Sequence, residues 1–453
     1  MLPRVLQLIR DKFWRDAATL QISGVLNQMS QLVSSSVLAF LLGAHTVGLF
    51  VVAVMLQALL YNLINVGVVQ TTVSQVAAAS AREMREKTAG WLAFLAKTYL
   101  VFSTLLIGTG WFVLPRLSVW FYADDLGAAG AREVGVWAWW LTFWILIDTP
   151  RVVAQVAFQA TRRMLALAQL DNGQEVLRMF LVVGGAVITG SPKGAVIGEV
   201  LSRVGASYLA LVMYHGARSD GGPWLPSMVE LFRRIPEIPL AKGLRLGLRV
   251  GVIKNTTTLV VTVLPRLLLG GSAGFAWVAY FHVAQRIMGL PQMMMQGVSR
   301  TILPALSERR GLQDLAGFRR LYMRTTWLAG CALTAFVLLC LLLVKPFVGL
   351  AYPADFAEPV LKCCMILALG VIPLAFAVAQ DPFYILTNRM KANLIICLVG
   401  ALVTIPANVV LLRIYPDTGP VWGQALYLSW VLVHFVYIAA YFRKRAHMTA
   451  WVD

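Results

Sequence analysis

The sequence predicts an all-α membrane protein in which twelve transmembrane helices form two parallel six-helix lobes around a central cleft. Three observations support this fold class: the composition, the number of apolar segments and an internal repeat. Hydrophobic residues make up 59% of the 453 residues and charged residues only 13%, whereas soluble domains carry about a quarter charged residues. Such sparse charge over this length indicates a chain that is mostly buried in lipid.

Apolar segments of membrane-spanning length recur twelve times, since a helix needs about 20 apolar residues to cross the hydrocarbon. The second and eighth segments are long, so their helices are predicted to tilt or protrude. In chain order the predicted spans cover about 17–42, 46–76, 89–114, 136–160, 175–190, 194–214, 243–269, 274–303, 325–348, 358–385, 391–412 and 419–442.

The basic residues predict the orientation of these spans. With a cytoplasmic N-terminus, the inside segments hold 24 Lys and Arg residues, whereas the outside loops hold five. Cytoplasmic loops retain Lys and Arg, so both termini are expected in the cytoplasm. The same bias explains the net charge of +18 without a nucleic-acid partner, because the basic residues lie in short clusters between apolar segments. The five outside residues are Arg116, Arg132, Lys193, Lys345 and Arg413.

An internal repeat divides the chain into halves. Residues 23–43 align without gaps to residues 250–270, with seven identities at an offset of 227. The stretch 161–164 (TRRM) aligns to 387–390 (TNRM) at an offset of 226, and 194–199 (GAVIGE) aligns to 419–424 (GPVWGQ) at 225. Each half holds six predicted spans, and an even number gives both halves the same orientation, which is typical of transporters.

Five regions follow from the spans and the repeat. The pattern of basic and apolar residues over 1–16 predicts a basic amphipathic helix on the cytoplasmic surface. The N-terminal lobe covers 17–214, a polar cytoplasmic linker covers 215–242, the C-terminal lobe covers 243–442, and a cytoplasmic tail covers 443–453.

Three motifs in order along the chain resemble bacterial Wzx-type polysaccharide flippases, which belong to the multidrug/oligosaccharidyl-lipid/polysaccharide exporter superfamily. The first is residues 41–50 (LLGAHTVGLF) running into 65–68 (NVGV). The second joins 284–291 (AQRIMGLP) to 302–307 (ILPALS). The third joins 406–412 (PANVVLL) to 419–425 (GPVWGQA). The resemblance extends over about 17–442, nearly the whole chain.

The resemblance implies a flippase that moves a polyprenyl-pyrophosphate-linked oligosaccharide across the bacterial cytoplasmic (inner) membrane by alternating access. It implies a role in surface polysaccharide or exopolysaccharide biosynthesis, with membrane lipids, a polysaccharide polymerase and glycosyltransferases as partners. The related lipid II flippases usually have fourteen spans, so twelve spans argue against that substrate.

Charged residues within the predicted spans divide into local pairs and isolated cations. Asp148 with Arg151 and Glu199 with Arg203 are three and four residues apart, so each pair is expected to form on one helix. Near the span ends, snorkelling toward water is the expected explanation for a further set of cations. That set comprises Arg178, Arg266, Arg300 and Lys362.

Arg286 and Lys254 are predicted near the midplane with no acid three or four residues away. Such cations need an anionic ligand, water or an acid on another helix. We predict that they bind the substrate pyrophosphate, because an arginine offers bidentate donors to phosphate. Arg249 is predicted to extend this basic track toward the cytoplasm. Pairing with an acid on another helix remains the alternative.

Two further groups complete the candidate site. Asn27 and Gln31 of the first span are predicted to bond sugar hydroxyls, with interhelical hydrogen bonding as the alternative. Asp148 with Arg151 is a candidate for coupling or gating. Because the sequence lacks a nucleophile–base arrangement, a metal-ligand spacing or a phosphate-binding glycine loop, we expect no enzymatic activity, cofactor or metal.

Two other functions compete with the flippase prediction. A cation-coupled multidrug antiporter of the same superfamily has the same span number, but it requires intramembrane carboxylates for organic cations, and the first span has none. A membrane scaffold that moves no substrate has no need of buried cations, which are costly in lipid. The sign of the charge at depth therefore favours an anionic substrate.

Overall fold

A computed structural model describes residues 12–64, 67–80, 83–161, 163–219, 225–240 and 255–445, with the single positions Leu244 and Gly251. Every regular element within these ranges is helical. Among the described residues, seven helices are long and apolar enough to cross a membrane. The chain is therefore a multi-pass α-helical membrane protein, as the composition predicts.

The chain divides into two compact units, named here unit 1 and unit 2. Unit 1 comprises Met1–Leu259 and Gly274–Ala279, and unit 2 comprises Val260–Ala273 and Tyr280–Asp453. The helices of unit 1 are α1 (Lys12–Ile64), α2 (Val68–Ser80), α3 (Arg85–Ile147), α4 (Thr149–Ala160), α5 (Met164–Thr189), α6 (Pro192–Ser219) and α7 (Met228–Arg234).

Unit 2 begins within the π-helix Leu259–Val263 and continues in helices α8 to α15. Their bounds are α8 (Leu264–Ser272), α9 (Phe275–Gly311), α10 (Leu315–Ala351), α11 (Ala357–Ala375), α12 (Gln380–Leu386), α13 (Met390–Ile414), α14 (Gly419–Ser429) and α15 (Val431–Lys444). The first residues of α9 belong to unit 1.

Glycine kinks join predicted spans into longer helices in unit 1. Gly43 (φ 74°) interrupts α1 between the first two predicted spans, and Gly127 (φ 71°) interrupts α3 between the third and fourth. Glycine adopts positive φ without a Cβ clash, so the chain turns there at little cost. The predicted connection 115–135 is thus largely helical, which apolar periodicity alone did not indicate.

Four predicted spans are wrong in being continuous where the described helices break. The second divides where α1 ends at Ile64 and α2 begins at Val68, after Gly67 at positive φ. The fourth divides at Asp148, followed by Pro150 in the first turn of α4, which has no N–H to continue the helix. The tenth divides between α11 and α12, and the twelfth divides at Trp430. The fifth predicted span also starts too late, because α5 begins at Met164.

The helix ends repeat with the offsets of the sequence. Helices α5 and α13 begin at 164 and 390, which is 226 positions apart, and end at 189 and 414, which is 225 apart. Helices α4 and α12 end at 160 and 386, again 226 apart. Equivalent positions in the two units can therefore be compared directly.

Candidate functional site

The break between α3 and α4 holds Asp148, a buried carboxylate with 2% of its surface exposed. Arg151 donates to both of its oxygens, from Nε and from Nη2, each at 2.6 Å. The predicted pair is confirmed, and its fork geometry is that of a strong charge-assisted contact. Ser207 donates to the Ile147 carbonyl at 2.7 Å, so a side chain satisfies a backbone group beside the break.

Arg151 also links the break to neighbouring polar groups. Its Nη1 donates to Gln155 Oε1 at 3.2 Å and lies 3.9 Å from Asp171 of α5. Close by, the hydroxyls of Tyr61 and Tyr99 are 3.1 Å apart. One arginine thus serves two carboxylates, so this group contains one more acid than base.

A second ion-pair network joins α5 to α6, a few turns along α5. Arg178 bonds Glu175 at 2.6 Å and Glu199 at 3.3 Å, and Arg203 bonds the other Glu199 oxygen at 3.1 Å. The Arg203 guanidinium also lies 4.2 Å from the centroid of Trp144. The predicted Glu199–Arg203 pair is confirmed. Snorkelling was the wrong explanation for Arg178, because its charge is matched by two acids within unit 1.

Hydrogen bonds between helices explain some of the polar residues of α1. Asn27 and Gln31 are both partly exposed, and Gln31 Oε1 is buried without a hydrogen-bond partner among the described residues. Ser23, one turn before Asn27, donates to Asn172 of α5 at 2.8 Å. Interhelical bonding thus explains Ser23, while Gln31 retains an acceptor that no described side chain uses.

Unit 2 places two arginines in one region. Arg266 of α8 is only 5% exposed. Arg286 of α9 lies in the same region, because its neighbour Gln285 bonds the carbonyl of Val261, five residues before Arg266. His282, one turn before Arg286, is partly buried. Snorkelling to water was therefore also the wrong explanation for Arg266. Like charges that are close in a low-dielectric interior repel each other.

A pair of amides lies beside this cationic region. Gln285 Nε2 donates to Gln424 Oε1 at 2.5 Å and to the Val261 carbonyl at 3.3 Å. Pro265 lacks the N–H that would reach the Val261 carbonyl in a regular helix, so Gln285 supplies a donor. Gln285 Oε1 is buried and has no partner within the described chain, which leaves an acceptor for a ligand hydroxyl.

Lys254 and Arg249 lie outside the described residues, as does the side chain of Arg300. Of the cations predicted to bind the substrate, only Arg286 can therefore be placed. Sequence reasoning missed Arg266, Gln285 and Gln424 as neighbours of this region. The sequence feature that could have indicated them was Pro265 within an apolar span. A proline has no N–H, so a carbonyl one turn earlier loses its usual donor and a side chain can bond it instead.

No family model and no curated protein matches the chain, but solved structures do. An inward-facing multidrug resistance MATE family transporter of the MOP superfamily is 18% identical, with a TM-score of 0.68 over 94% of this chain and 96% of that chain. The chain has the MATE transporter fold. The MATE multidrug transporter DinF-BH is 15% identical, with a TM-score of 0.67 over 97% of this chain and 96% of that chain.

A third MATE-fold neighbour comes from Pyrococcus furiosus. It is a MOP superfamily transporter described by the reverse polarity of its binding pocket, which suggests a different function for that protein. It is 18% identical, with a TM-score of 0.64 over 96% of this chain and 97% of that chain. Likeness at this level of identity establishes the fold, while the substrate has to be argued from this chain's own residues.

Proposed function

We propose that the chain is a flippase for an anionic lipid-linked substrate, a polyprenyl-pyrophosphate-linked oligosaccharide, in the bacterial inner membrane. The observation that carries the proposal is the burial of Arg266 in the region where Gln285, next to Arg286, bonds the Val261 carbonyl. A pyrophosphate would neutralise two like charges that otherwise repel, and arginine donates to phosphate in bidentate fashion.

The remaining predicted residues keep their proposed roles. Lys254 binds the pyrophosphate with Arg286, Arg249 extends the basic track toward the cytoplasm, and Asn27 and Gln31 bond sugar hydroxyls. Gln285 adds a buried acceptor of the kind a hydroxyl needs. Asp148 and Arg151 form the coupling or gating element. In this role their bidentate ion pair opens during transport. The chain performs no covalent chemistry, both termini lie in the cytoplasm, and a polymerase and glycosyltransferases act on either side of transport.

A second candidate is a cation-coupled multidrug antiporter, which the fold neighbours favour. Two of them are multidrug transporters of the MATE family. Such a function needs accessible carboxylates, and the described chain holds several acids at depth. Three of them, Asp148, Glu175 and Glu199, are bonded to arginines, so a cation would have to displace an arginine to reach them.

Transport in proteoliposomes distinguishes the two candidates. The full chain is reconstituted, and two substrates are measured in parallel: a fluorescent polyprenyl-pyrophosphate-linked oligosaccharide and a cationic dye. We expect transport of the first only. Arg286→Ala should lower it about 30-fold or more, since removing one partner of a buried charged contact costs ~2–5 kcal/mol. Arg286→Lys should retain part of the activity, because the charge stays and the fork is lost.

Arg319→Ala is the matched control, because Arg319 is an exposed cation of unit 2 on α10. It should leave transport unchanged. Dye transport with no movement of the oligosaccharide would establish the second candidate. Wild-type oligosaccharide transport by Arg286→Ala would remove the anchor role of Arg286.

A further inference from the structure

Three arginines from three helix ends lie near one tyrosine at one end of unit 2. They are Arg310 near the end of α9, Arg389 before α13 and Arg445 after α15, and together they are called the arginine cluster here. The three helix ends border the buried aromatic cluster that contains Tyr441. The Arg445 guanidinium lies 4.3 Å from the centroid of the Tyr441 ring, so at least one cation is stacked in place.

Packing and backbone contacts place the other two arginines at the edge of the same aromatic core. Leu306, one turn before Arg310, belongs to the buried cluster that contains Tyr441. Arg389 donates its N–H to the Tyr384 carbonyl at 2.9 Å, and the neighbouring Phe383 ring packs edge-on against Tyr441 at 5.1 Å. Gln313 donates its N–H to the Arg310 carbonyl at 2.9 Å, which closes the turn after α9. The cluster is therefore built on a packed scaffold, in contrast to a set of independent surface residues.

The cluster is specific to unit 2. The turn after α9 repeats the backbone hydrogen bonds of the turn after α2 at an offset of 230, so Arg310 corresponds to Ser80. Arg389 corresponds to Arg163 at an offset of 226. At an offset of 225, Tyr441 corresponds to Gly216. Unit 1 thus keeps one of the basic residues, has a serine in place of another, and lacks the aromatic platform. A general excess of positive charge at helix ends would have no reason to differ in this way.

We propose that the arginine cluster binds a phosphate group, and that its source is the headgroup of an anionic phospholipid. Arg389 is exposed, and Arg310 and Arg445 are partly exposed, so a headgroup can reach all three. Guanidinium groups bind phosphate through paired N–H donors. The start of α13 adds the positive end of a helix dipole to the same region. The proposal goes beyond transport and is independent of the substrate.

A phospholipid is the favoured source because the cluster lies at the ends of apolar helices, where headgroups are concentrated. Arg443 and Lys444 next to the cluster are exposed and add to the attraction of an anionic surface. Each basic residue near such a surface adds a modest attraction, whereas the cluster should add specificity for one bound headgroup. A prenyl pyrophosphate offers the same chemistry, so the test includes it.

The test measures lipid binding to the purified full chain by native mass spectrometry. Three probes are used: phosphatidylglycerol, phosphatidylcholine and farnesyl pyrophosphate. We expect tight retention of phosphatidylglycerol, and at least about tenfold weaker binding in Arg389→Gln/Arg445→Gln, the effect of losing charge-assisted contacts. Arg445→Lys, which keeps the charge, should fall between the two.

Two single variants serve as matched controls. Arg443→Gln removes an equal charge beside the cluster, and Arg163→Gln removes the arginine at the equivalent position of unit 1. Both should bind phosphatidylglycerol within about twofold of wild type. Equal losses in Arg443→Gln and Arg389→Gln/Arg445→Gln would overturn the site in favour of general surface charge. Binding of farnesyl pyrophosphate in preference to phosphatidylglycerol would overturn the phospholipid source.

Thermal unfolding of each variant separates binding from folding. If Arg389→Gln/Arg445→Gln unfolds early, Arg445→Lys carries the test, because its loss of headgroup binding would arise in a protein of normal stability. Oligosaccharide transport is measured separately. A chain that transports no oligosaccharide but retains phosphatidylglycerol through the cluster would refute the proposed function and leave this inference intact.

Discussion

At position 178 unit 1 carries an arginine bonded to two glutamates, whereas 226 positions later unit 2 carries a buried threonine, Thr404. The other members of the network change in parallel. Glu175 corresponds to Ala401, Glu199 to Gln424 and Arg203 to Leu428, at offsets of 226, 225 and 225. One repeat therefore joins its fifth and sixth spans by ion pairs, whereas the equivalent positions of the other are uncharged, and Gln424 bonds Gln285 of α9 instead.

The cations of unit 2 show the reverse substitution. Arg266 corresponds to Ala39 and Arg286 to Leu59 at an offset of 227. Unit 1 neutralises its buried charges internally, whereas unit 2 concentrates positive charge where its repeat partner is apolar. The difference separates charges that are paired within unit 1 from cations of unit 2 for which we propose ligand binding.

The largest effect is expected from Arg178→Ala in unit 1. Two buried glutamates would lose their shared cation, and breaking a buried pair from one side typically costs ~3–5 kcal/mol. The melting temperature of the purified chain should fall clearly. Thr404→Ala, the equivalent change in unit 2, should cost about 1 kcal/mol or less, because it removes only a hydroxyl. Equal melting temperatures in the two variants would contradict the structural role of the network.

A fourfold variant sharpens that result. Replacing Glu175, Arg178, Glu199 and Arg203 with their unit 2 equivalents Ala, Thr, Gln and Leu removes every charge at once. Apolar replacement of a complete buried network is often neutral in stability. The fourfold variant should therefore melt closer to wild type than Arg178→Ala does. A lower melting temperature than the single variant would mean that unit 1 requires these charges for more than their mutual pairing.

Glycine substitutions test how closely the same helices pack. A Cβ on Gly198 of α6 would collide with the backbone of Leu181 and Val182 in α5, whereas on Gly423 of α14 it would meet the side chain of Asn408. Backbone cannot move aside as a side chain can, so Gly198→Ala should cost ~1–3 kcal/mol and Gly423→Ala less. Thermal unfolding of both variants measures the two losses of stability. A larger loss in Gly423→Ala than in Gly198→Ala would contradict this prediction.

Exchanging the residue types of Glu199 and Gln424 tests how each position contributes to transport. Gln424→Glu places a carboxylate beside Gln285 in the cationic region of unit 2, where it competes with an anionic substrate. Oligosaccharide transport should fall about tenfold, which corresponds to ~1.4 kcal/mol, with normal membrane insertion. Glu199→Gln should lower the melting temperature more than it lowers transport of the folded fraction. Faster cationic dye transport in Gln424→Glu would instead support the multidrug candidate.

How far the sequence predicts these features depends on the distance over which each contact forms. The pairs Asp148–Arg151 and Glu199–Arg203 lie on adjacent turns, so spacing alone predicted them. The contact between Arg178 and Glu199 joins two helices, and a single sequence does not show which helix faces meet. The break at Asp148 had a local signal in Pro150, but the break at Trp430 had no proline or glycine beside it.

The smallest effect concerns an ion pair of unit 1 that lies near water. Arg85 contacts Glu230 of the linker helix α7 at 2.8 Å, and Arg234 contacts it at 3.3 Å. Burial is the largest single influence and raises the pKa of Glu230, but the hydrogen bond and charge of Arg85, with smaller effects of Ser227 and Arg234, together hold that pKa below its ordinary value. A lowered carboxyl pKa stabilises the docked linker above about pH 4.3, and this contribution is lost as pH falls through the lowered value.

Because Arg85 is about half exposed, the pair should contribute at most about 1 kcal/mol, far less than the buried network. A spin label at Val229, an exposed position on α7, reports linker mobility between about pH 6 and pH 3, on either side of an ordinary carboxyl pKa. Its mobility should rise at the acid end in the wild type, and Glu230→Gln should already be mobile at the upper pH.

Glu237→Gln is the matched control, because Glu237 is an exposed acid of the same linker, in the short 3-10 helix that follows α7. This variant should keep the wild-type pH response, since the Arg85–Glu230 pair stays intact. A label that is equally mobile in the wild type and in Glu230→Gln at the upper pH would show that the apolar contacts of buried Leu231 hold the linker without help from the ion pair.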